Sequence, residues 1–234
     1  KKTLILWHEG IIPGILQDEL INYQNLFKNN FNNNHLIGLG INQQLIYNEN
    51  EKFYNSFSIY DHKLNLINSY YKINLVPFGE FLPFERLLKK IGLKTITNNY
   101  NSFSNGDKRN SMNIEMENIS FKILPLICYE IIYSGKLYDN DNFDYLINIS
   151  EDGWFGKSIG PKQHFVHSIF RAIESGKYLI RSSNNGTAAI INPIGIIEKQ
   201  VDYGKNGFID LEEIRKIQPT LFSKYGNKIF ITLI

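Results

Sequence analysis

The segment from Phe121 to Glu130 constrains the fold more than any other part of this chain. Its first seven residues form a mainly apolar run, which predicts a buried β-strand. The run ends at Cys128, the only cysteine among 234 residues. α/β proteins place their reactive groups at the carboxyl ends of strands, so this position suits a nucleophile. A lone cysteine is also often just a small buried apolar residue. The residues at the other predicted strand ends are therefore needed to distinguish a nucleophile from a packing residue.

The order of apolar segments predicts an α/β fold. A strand at 3–7 is followed by a helix after Pro13 that runs through Phe27, and then by a strand at 35–40. Further strands are expected within 52–74, around Ile114, and at 144–150, 178–182, 187–191 and 195–198, with a helix from Pro161 to Gly176. The length suits one core, so we expect a single domain over 1–234.

Composition excludes several classes of function. The net charge is only +2 and charges of both signs are interspersed, so nothing requires a nucleic-acid partner. A single cysteine rules out an internal disulfide. The cellular compartment therefore stays undecided, because a reducing cytosol and a periplasm both fit. No apolar run reaches the roughly 18 residues that would cross a bilayer, and from this sequence we expect no signal peptide. The apolar segment at 228–234 fits either a core strand or the first turn of a truncated transmembrane helix.

Two other dispersed residues share with Cys128 a position at the end of a predicted strand. Glu9 follows the first strand, and Lys72 follows the strand pair within 52–74. If these strands belong to one sheet, their ends can converge. A carboxylate can take the thiol proton, and an ammonium group can stabilise the thiolate and later an oxyanion, helped by the backbone N–H after the nucleophile. For any single lysine, an exposed position on a strand face is the ordinary alternative.

The histidines do not suggest a comparable site. None lies at a strand end, so a Cys-His hydrolase is less attractive than an arrangement of acid, lysine and cysteine. His164 and His167 fall on one side of the predicted helix, but no third ligand is near in the sequence. We therefore predict helix-surface or packing roles for both and no metal site.

The loop at 77–93 combines Pro and Gly with large apolar residues. Such loops usually lie at the surface, where apolar side chains indicate an apolar partner. A short basic amphipathic helix is expected from Phe84 to Ile91. Core packing and a membrane-facing lid both explain the pattern.

Several motifs together carry a resemblance to a known family. They read Leu-Trp-His-Glu at 6–9, Val-Pro-Phe-Gly-Glu at 76–80, Ile-Cys-Tyr-Glu at 127–130, Asp-Gly-Trp-Phe-Gly at 152–156, Gly-Pro-Lys-Gln-His at 160–164, Arg-Ala-Ile-Glu at 171–174 and Arg-Ser-Ser-Asn-Asn-Gly at 181–186. Over nearly the whole chain the sequence resembles the carbon-nitrogen hydrolase (nitrilase) superfamily, and within it the apolipoprotein N-acyltransferase family. The resemblance implies a four-layer αββα sandwich.

The resemblance also implies roles for individual residues. Glu9 would be the general base, Lys72 the oxyanion stabiliser and Cys128 the nucleophile, with no cofactor. Glu80 would orient Lys72 through an ion pair. The remaining residues that match supporting or substrate-binding positions are Tyr129, Glu130 and Trp154.

The reaction implied by the resemblance is acyl transfer in two steps. Cys128 would take an acyl chain from a phospholipid as a thioester and pass it to the N-terminal cysteine amine of a diacylated lipoprotein. The chain would then act at a membrane surface, as a periplasmic domain excised or truncated from an inner-membrane protein with flanking transmembrane helices. Two departures from the family are His8, where the family usually has proline, and the absence of those helices from this sequence.

Two other functions fit the same residues. A soluble nitrilase-type amidase would use the same triad with water as the acceptor. A catalytically silent relative would bind lipid or peptide without turnover.

Overall fold

The computed structural model describes residues 1–47, 50–84, 90, 92, 102–135, 142–211, 217–218 and 220–231. They divide into two compact units, the first formed by Lys1–Ile5 and Gly10–Lys108 and the second by Leu6–Glu9 and Arg109–Ile234. Each unit is built on its own β-sheet. No helix within the described ranges is long and apolar enough to cross a membrane.

The first unit contains a four-stranded sheet. Its strands are β1 (Thr3–Leu6), β2 (His35–Tyr47), β3 (Asn50–Asp61) and β4 (Leu66–Tyr71), in the order β1-β2-β3-β4. β2 and β3 form a long antiparallel hairpin, and β4 pairs antiparallel with β3. A 3-10 helix (Gln17–Tyr23) and α1 (Gln24–Asn30) connect β1 to β2. Fully buried apolar side chains of β2 and β3 form the centre of this unit: Ile37, Leu39, Phe57 and Ile59.

The second unit contains a six-stranded mixed sheet. Its strands are β5 (Met112–Met116), β6 (Ile119–Ile127), β7 (Tyr145–Glu151), β8 (Tyr178–Asn184), β9 (Ala188–Ile191) and β10 (Ile197–Val201), in the order β10-β9-β8-β7-β6-β5. β6, β7 and β8 run parallel, whereas the outer strands are antiparallel. The central parallel strands therefore bring their carboxyl ends to one edge of the sheet.

A single long helix crosses from β7 to β8. α2 (Gly160–Ser175) has Pro161 in its first turn, where a missing N–H costs nothing. It ends at Gly176, whose φ of 65° is the left-handed conformation of a helix C-cap. The predicted helix from Pro161 to Gly176 is thus confirmed. Two short helices, α3 (Leu221–Tyr225) and α4 (Lys228–Ile231), follow β10.

Several expectations from the sequence need correction. The strands that precede Glu9, Lys72 and Cys128 do not share one sheet, because β1 and β4 belong to the four-stranded sheet and β6 to the six-stranded one. The strands that pair with β6 are β5 and β7, and both belong to the six-stranded sheet. The first helix is divided into a 3-10 helix and α1, and β2 continues seven residues beyond the predicted end at Gly40.

Two further expectations concern chain segments at the limits of the described residues. The described part of 228–234 is helical, in α4, rather than a strand. The amphipathic helix predicted from Phe84 to Ile91 falls mostly on 85–89 and 91, which lie outside the described residues.

Candidate active site

Cys128 lies at the carboxyl end of β6, as the sequence predicted. It is the first residue of a 3-10 helix (Cys128–Ile132) and is half-buried. Its φ is 47°, a left-handed conformation that costs a residue with a side chain about 1–3 kcal/mol. Such strain persists only where the surrounding structure imposes it, and it is common at functional sites.

Glu130 holds the turn that carries Cys128. Its side chain is fully buried, and Oε2 accepts a hydrogen bond of 2.8 Å from the backbone N–H of Ile127. A glutamate that reaches back to the residue before a helix is one half of a capping box. Oε1 accepts a hydrogen bond of 2.6 Å from the guanidinium group of Arg109. Glu130 is therefore a structural anchor of the turn, and Arg109 is a partner that sequence reasoning missed.

Glu9 lies at the same edge of the six-stranded sheet as Cys128. Its Oε2 accepts a hydrogen bond of 3.0 Å from the backbone N–H of Glu151, the last residue of β7. β7 is the parallel neighbour of β6, so the second unit places Glu9 and Cys128 at adjacent strand ends. The side chain of His8 contacts the carbonyl oxygen of Glu9 at 2.8 Å through Nδ1, a hydrogen bond that proline could not make.

Lys72 and Glu80 form a buried ion pair in the first unit. The Lys72 ammonium is 1% exposed and lies 2.8 Å from Glu80 Oε1, so it is not a surface lysine of a strand face. The same carboxylate accepts hydrogen bonds from the Asn55 side chain at 2.9 Å and from the backbone N–H of Val76 at 2.8 Å. The Lys72 carbonyl in turn accepts from the N–H of Gly106 at 2.9 Å. These contacts fix both the backbone and the ammonium group of Lys72.

Asp152, His164 and Arg181 form a buried network that the sequence did not reveal. Asp152 Oδ1 lies 2.8 Å from His164 Nδ1, and Oδ2 accepts from Arg181 at 2.7 Å. Burial by itself raises the pKa of Asp152. The hydrogen bond from His164, the charge of Arg181 and the hydroxyl of Ser150 outweigh it and hold that pKa well below its usual range. Arg181 also donates to the side-chain oxygen of Asn148.

His164 connects this network to the nucleophile position. Its Nε2 lies 3.1 Å from the carbonyl oxygen of Cys128, and the residue is 4% exposed. The sequence predicted a surface or packing role, because α2 alone shows only an apolar stripe. Nothing local identifies Asp152 and Arg181 as partners, since they lie 12 and 17 residues away along the chain. Within the described parts of the chain, no group of three His, Cys, Asp or Glu residues could hold a metal ion.

The aromatic residues predicted for substrate contact differ in exposure. Trp154 follows β7 and is 67% exposed, and Tyr129 is half-buried with its ring 5.5 Å from that of Tyr133. In the loop of the first unit, Phe78 and Phe84 are 53% and 84% exposed. Within the described part of that loop, Phe81 is partly buried and Leu82 is buried. Core packing thus applies to Phe81 and Leu82, whereas the membrane-facing lid stays a prediction.

The fold and site define the class of the protein. The family model for carbon-nitrogen hydrolases matches residues 4–217, and the chain belongs to that family. Its sequence is similar to apolipoprotein N-acyltransferases from several bacteria. The protein from Rhodopseudomonas palustris is 38% identical over 74% of this chain and 32% of its own length. The protein from Rickettsia bellii is 33% identical over 99% of this chain and 46% of its own length. The chain thus spans about a third to a half of the length of these relatives.

Solved structures confirm the predicted fold class, the α/β fold of the nitrilase type. A nitrilase-superfamily protein from Saccharomyces cerevisiae superposes with a TM-score of 0.57 at 17% identity, covering 87% of this chain and 74% of its own. An amidase from Nesterenkonia gives 0.54 at 11% identity, covering 86% of this chain and 74% of its own. At such identities the similarity concerns the fold alone.

Proposed function

We propose that this chain carries the chemistry of a lipoprotein N-acyltransferase. The observation that carries the proposal is the strained, half-buried Cys128 at the carboxyl end of β6, in a chain 33–42% identical to apolipoprotein N-acyltransferases. The acyl donor is a phospholipid and the acceptor is the N-terminal cysteine amine of a diacylated lipoprotein. The membrane surface is where both substrates reside, and we place the domain on the periplasmic side of the inner membrane.

In the first half-reaction, Glu9 acts as general base and Cys128 as nucleophile. The carboxylate takes the thiol proton, and the thiolate attacks the ester carbonyl of the phospholipid. The lysophospholipid oxygen leaves with the proton held by Glu9, and a thioester remains on Cys128. The hydrogen bond from the Glu151 N–H orients the Glu9 carboxylate at the adjacent strand end.

The second half-reaction runs the same steps with an amine. Glu9 takes a proton from the attacking cysteine amine, the amide bond forms, and the Cys128 thiolate leaves and is protonated again. In both halves, negative charge develops on the former carbonyl oxygen. Lys72 and the backbone N–H of Tyr129 are assigned to stabilise that charge. The ion pair with Glu80 supports the role of Lys72, because it fixes the position of the ammonium group. An ammonium group has three N–H donors, so it can donate to an oxyanion as well as to Glu80.

The apolar residues at the surface suit acyl-chain substrates. Trp154 in the second unit and Phe78 and Phe84 in the first expose large aromatic faces to solvent. Burying one such side chain against an acyl chain is worth about 1.5–3 kcal/mol. We assign Trp154 to acyl-chain contact and the two phenylalanines to contact with the membrane surface.

The direct test is Cys128→Ser in the full-length protein, scored by mass spectrometry of lipoprotein N-termini. We expect N-acylation to disappear, while wild-type protein shows an acyl adduct on Cys128 that hydroxylamine removes. Undiminished N-acylation by the variant would reject the proposal. Hydrolysis of a small amide without acyl transfer to the lipoprotein amine would instead favour the amidase alternative, in which water is the acceptor.

A further inference from the structure

The peptide group that joins Cys128 to Tyr129 is held from outside its own turn. Its carbonyl oxygen lies 3.1 Å from His164 Nε2, on the long helix α2. A carbonyl oxygen only accepts hydrogen bonds, so in this contact the N–H of His164 Nε2 is the donor and the Cys128 carbonyl is the acceptor. The strained φ of Cys128 needs such a contact, because an isolated turn would relax to a conformation of lower energy.

The imidazole of His164 is itself fixed by buried partners. Asp152 Oδ1 lies 2.8 Å from Nδ1 on the other side of the ring. Asp152 is in turn held by the Ser150 hydroxyl and the Arg181 guanidinium, each at 2.7 Å. Every one of these four side chains is at most 4% exposed. The ring therefore cannot turn away from the Cys128 carbonyl without breaking hydrogen bonds in a region that water does not reach.

Fixing this carbonyl also fixes the hydrogen-bond donor at the other end of the same peptide group. A trans peptide is planar, and its N–H points opposite to its C=O. Holding the Cys128 carbonyl toward His164 therefore directs the Tyr129 N–H the opposite way. A hydrogen bond to the carbonyl also polarises the peptide and makes its N–H a stronger donor.

We infer that His164, held by Asp152, is a positioning residue that aims the Tyr129 N–H at the oxyanion of the tetrahedral intermediate. The inference rests on the proposed function, in which Cys128 is the nucleophile. The inference assigns a role in acyl transfer to the buried network of Asp152, His164 and Arg181. That role, orienting the Tyr129 N–H, is separate from those of Glu9, Lys72 and Cys128.

Two substitutions in the full-length protein separate the effects of the two imidazole contacts, the one between Nδ1 and Asp152 and the one between Nε2 and the Cys128 carbonyl. In His164→Gln, the side-chain amide nitrogen can occupy the place of Nε2 and still donate to the Cys128 carbonyl. In His164→Asn, the amide nitrogen takes the place of Nδ1, so the contact with Asp152 is kept and the one with the Cys128 carbonyl is lost. We expect kcat for N-acylation to fall about 10- to 100-fold in His164→Asn with KM unchanged, and less than about fivefold in His164→Gln.

The rate at which iodoacetamide alkylates Cys128 distinguishes a specific loss of oxyanion stabilisation from a general structural defect. A general defect around Cys128 would change this rate. This displacement forms no oxyanion, so its rate should stay within about threefold of wild type in both variants. Equal loss of kcat in the two variants, or alkylation that falls together with transfer, would overturn the inference. If His164→Asn transfers acyl chains normally while Cys128→Ser is inactive, the positioning role of His164 is wrong and the proposed function stands. If Cys128→Ser is active, the proposed function itself is wrong.

Discussion

At the scale of single residues, Asp152 is a carboxylate that remains ionised although it is buried. Hydrogen bonds and the Arg181 charge hold its pKa below the value it has in the unfolded chain, against the opposing effect of burial. The folded state therefore binds fewer protons in acid than the unfolded state, and folding gains stability as pH rises. This contribution is complete above the unfolded pKa of about 4 and is lost as pH falls toward the lower folded value.

The substitution Asp152→Asn tests this linkage. Above pH 5 we expect the free energy of unfolding to fall by about 3–5 kcal/mol, because Arg181 and His164 lose a buried anionic partner. The difference from wild type should shrink as pH is lowered from 5 to 3, as measured by urea unfolding. Asp202→Asn is the matched control at an exposed carboxylate, 3.2 Å from Lys205, and should have little effect at any pH. A difference for Asp152→Asn that stays constant across this range would contradict the linkage.

Some residues of the candidate site could be predicted from the sequence alone and others could not. The strand-end positions of Cys128, Glu9 and Lys72 could be predicted because each residue follows a strand-forming run, which is a local signal. Arg109 and His164 were missed, since their partners lie on other elements and only folding brings them together.

At the scale of elements, the end of β4 depends on a close approach by Gly106. Its N–H donates to the Lys72 carbonyl, and a side-chain carbon at this position would overlap the carbonyl oxygen of Tyr71. Gly106→Ala must therefore displace the backbone that carries Lys72. We expect acyl transfer to fall at least about 100-fold, because an error of about 1 Å in a positioned group costs that much.

The control for this prediction is Gly207→Ala. A methyl group there would lie nearest to the side chain of Val201, with the closest methyl carbon at 3.2 Å, and would overlap no backbone atom among its nearest neighbours. Transfer rates and the urea midpoints of the two variants should be compared in the full-length protein. Wild-type transfer by Gly106→Ala would show that the backbone around Lys72 can shift without consequence.

Element type was more predictable than element pairing. Apolar runs located β6, β7 and α2, because burial imposes a local periodicity that the sequence must carry. Which strands share a sheet depends on contacts between distant segments, so the division into a four-stranded and a six-stranded sheet had no local signal. The continuation of β2 through Asn42 to Gln44 was missed for the same reason, since these polar residues are strand only because β3 pairs with them.

At the scale of the whole molecule, the proposed reaction requires access to a lipid surface. Phe84 is 84% exposed, so replacing it should not weaken the core. If it contacts the membrane, Phe84→Ser should raise KM for phospholipid in vesicles about tenfold, the equivalent of about 1.4 kcal/mol of lost apolar contact. Hydrolysis of a water-soluble short-chain ester should be unchanged.

Phe208→Ser is the comparison for this substitution, because Phe208 is 88% exposed and lies outside the apolar loop at 77–93. Its KM for vesicles should equal that of wild type. Equal KM values for the two variants would remove the assignment of Phe84 to the membrane surface.

The left-handed backbone at position 128 sets folding and reactivity against each other. Glycine adopts that conformation freely, whereas cysteine there makes the native state less stable by about 1–3 kcal/mol. Selection for thermal stability alone should therefore favour glycine at position 128, which removes the nucleophile. Any variant that still forms the thioester must keep cysteine there, although cysteine makes the native state less stable.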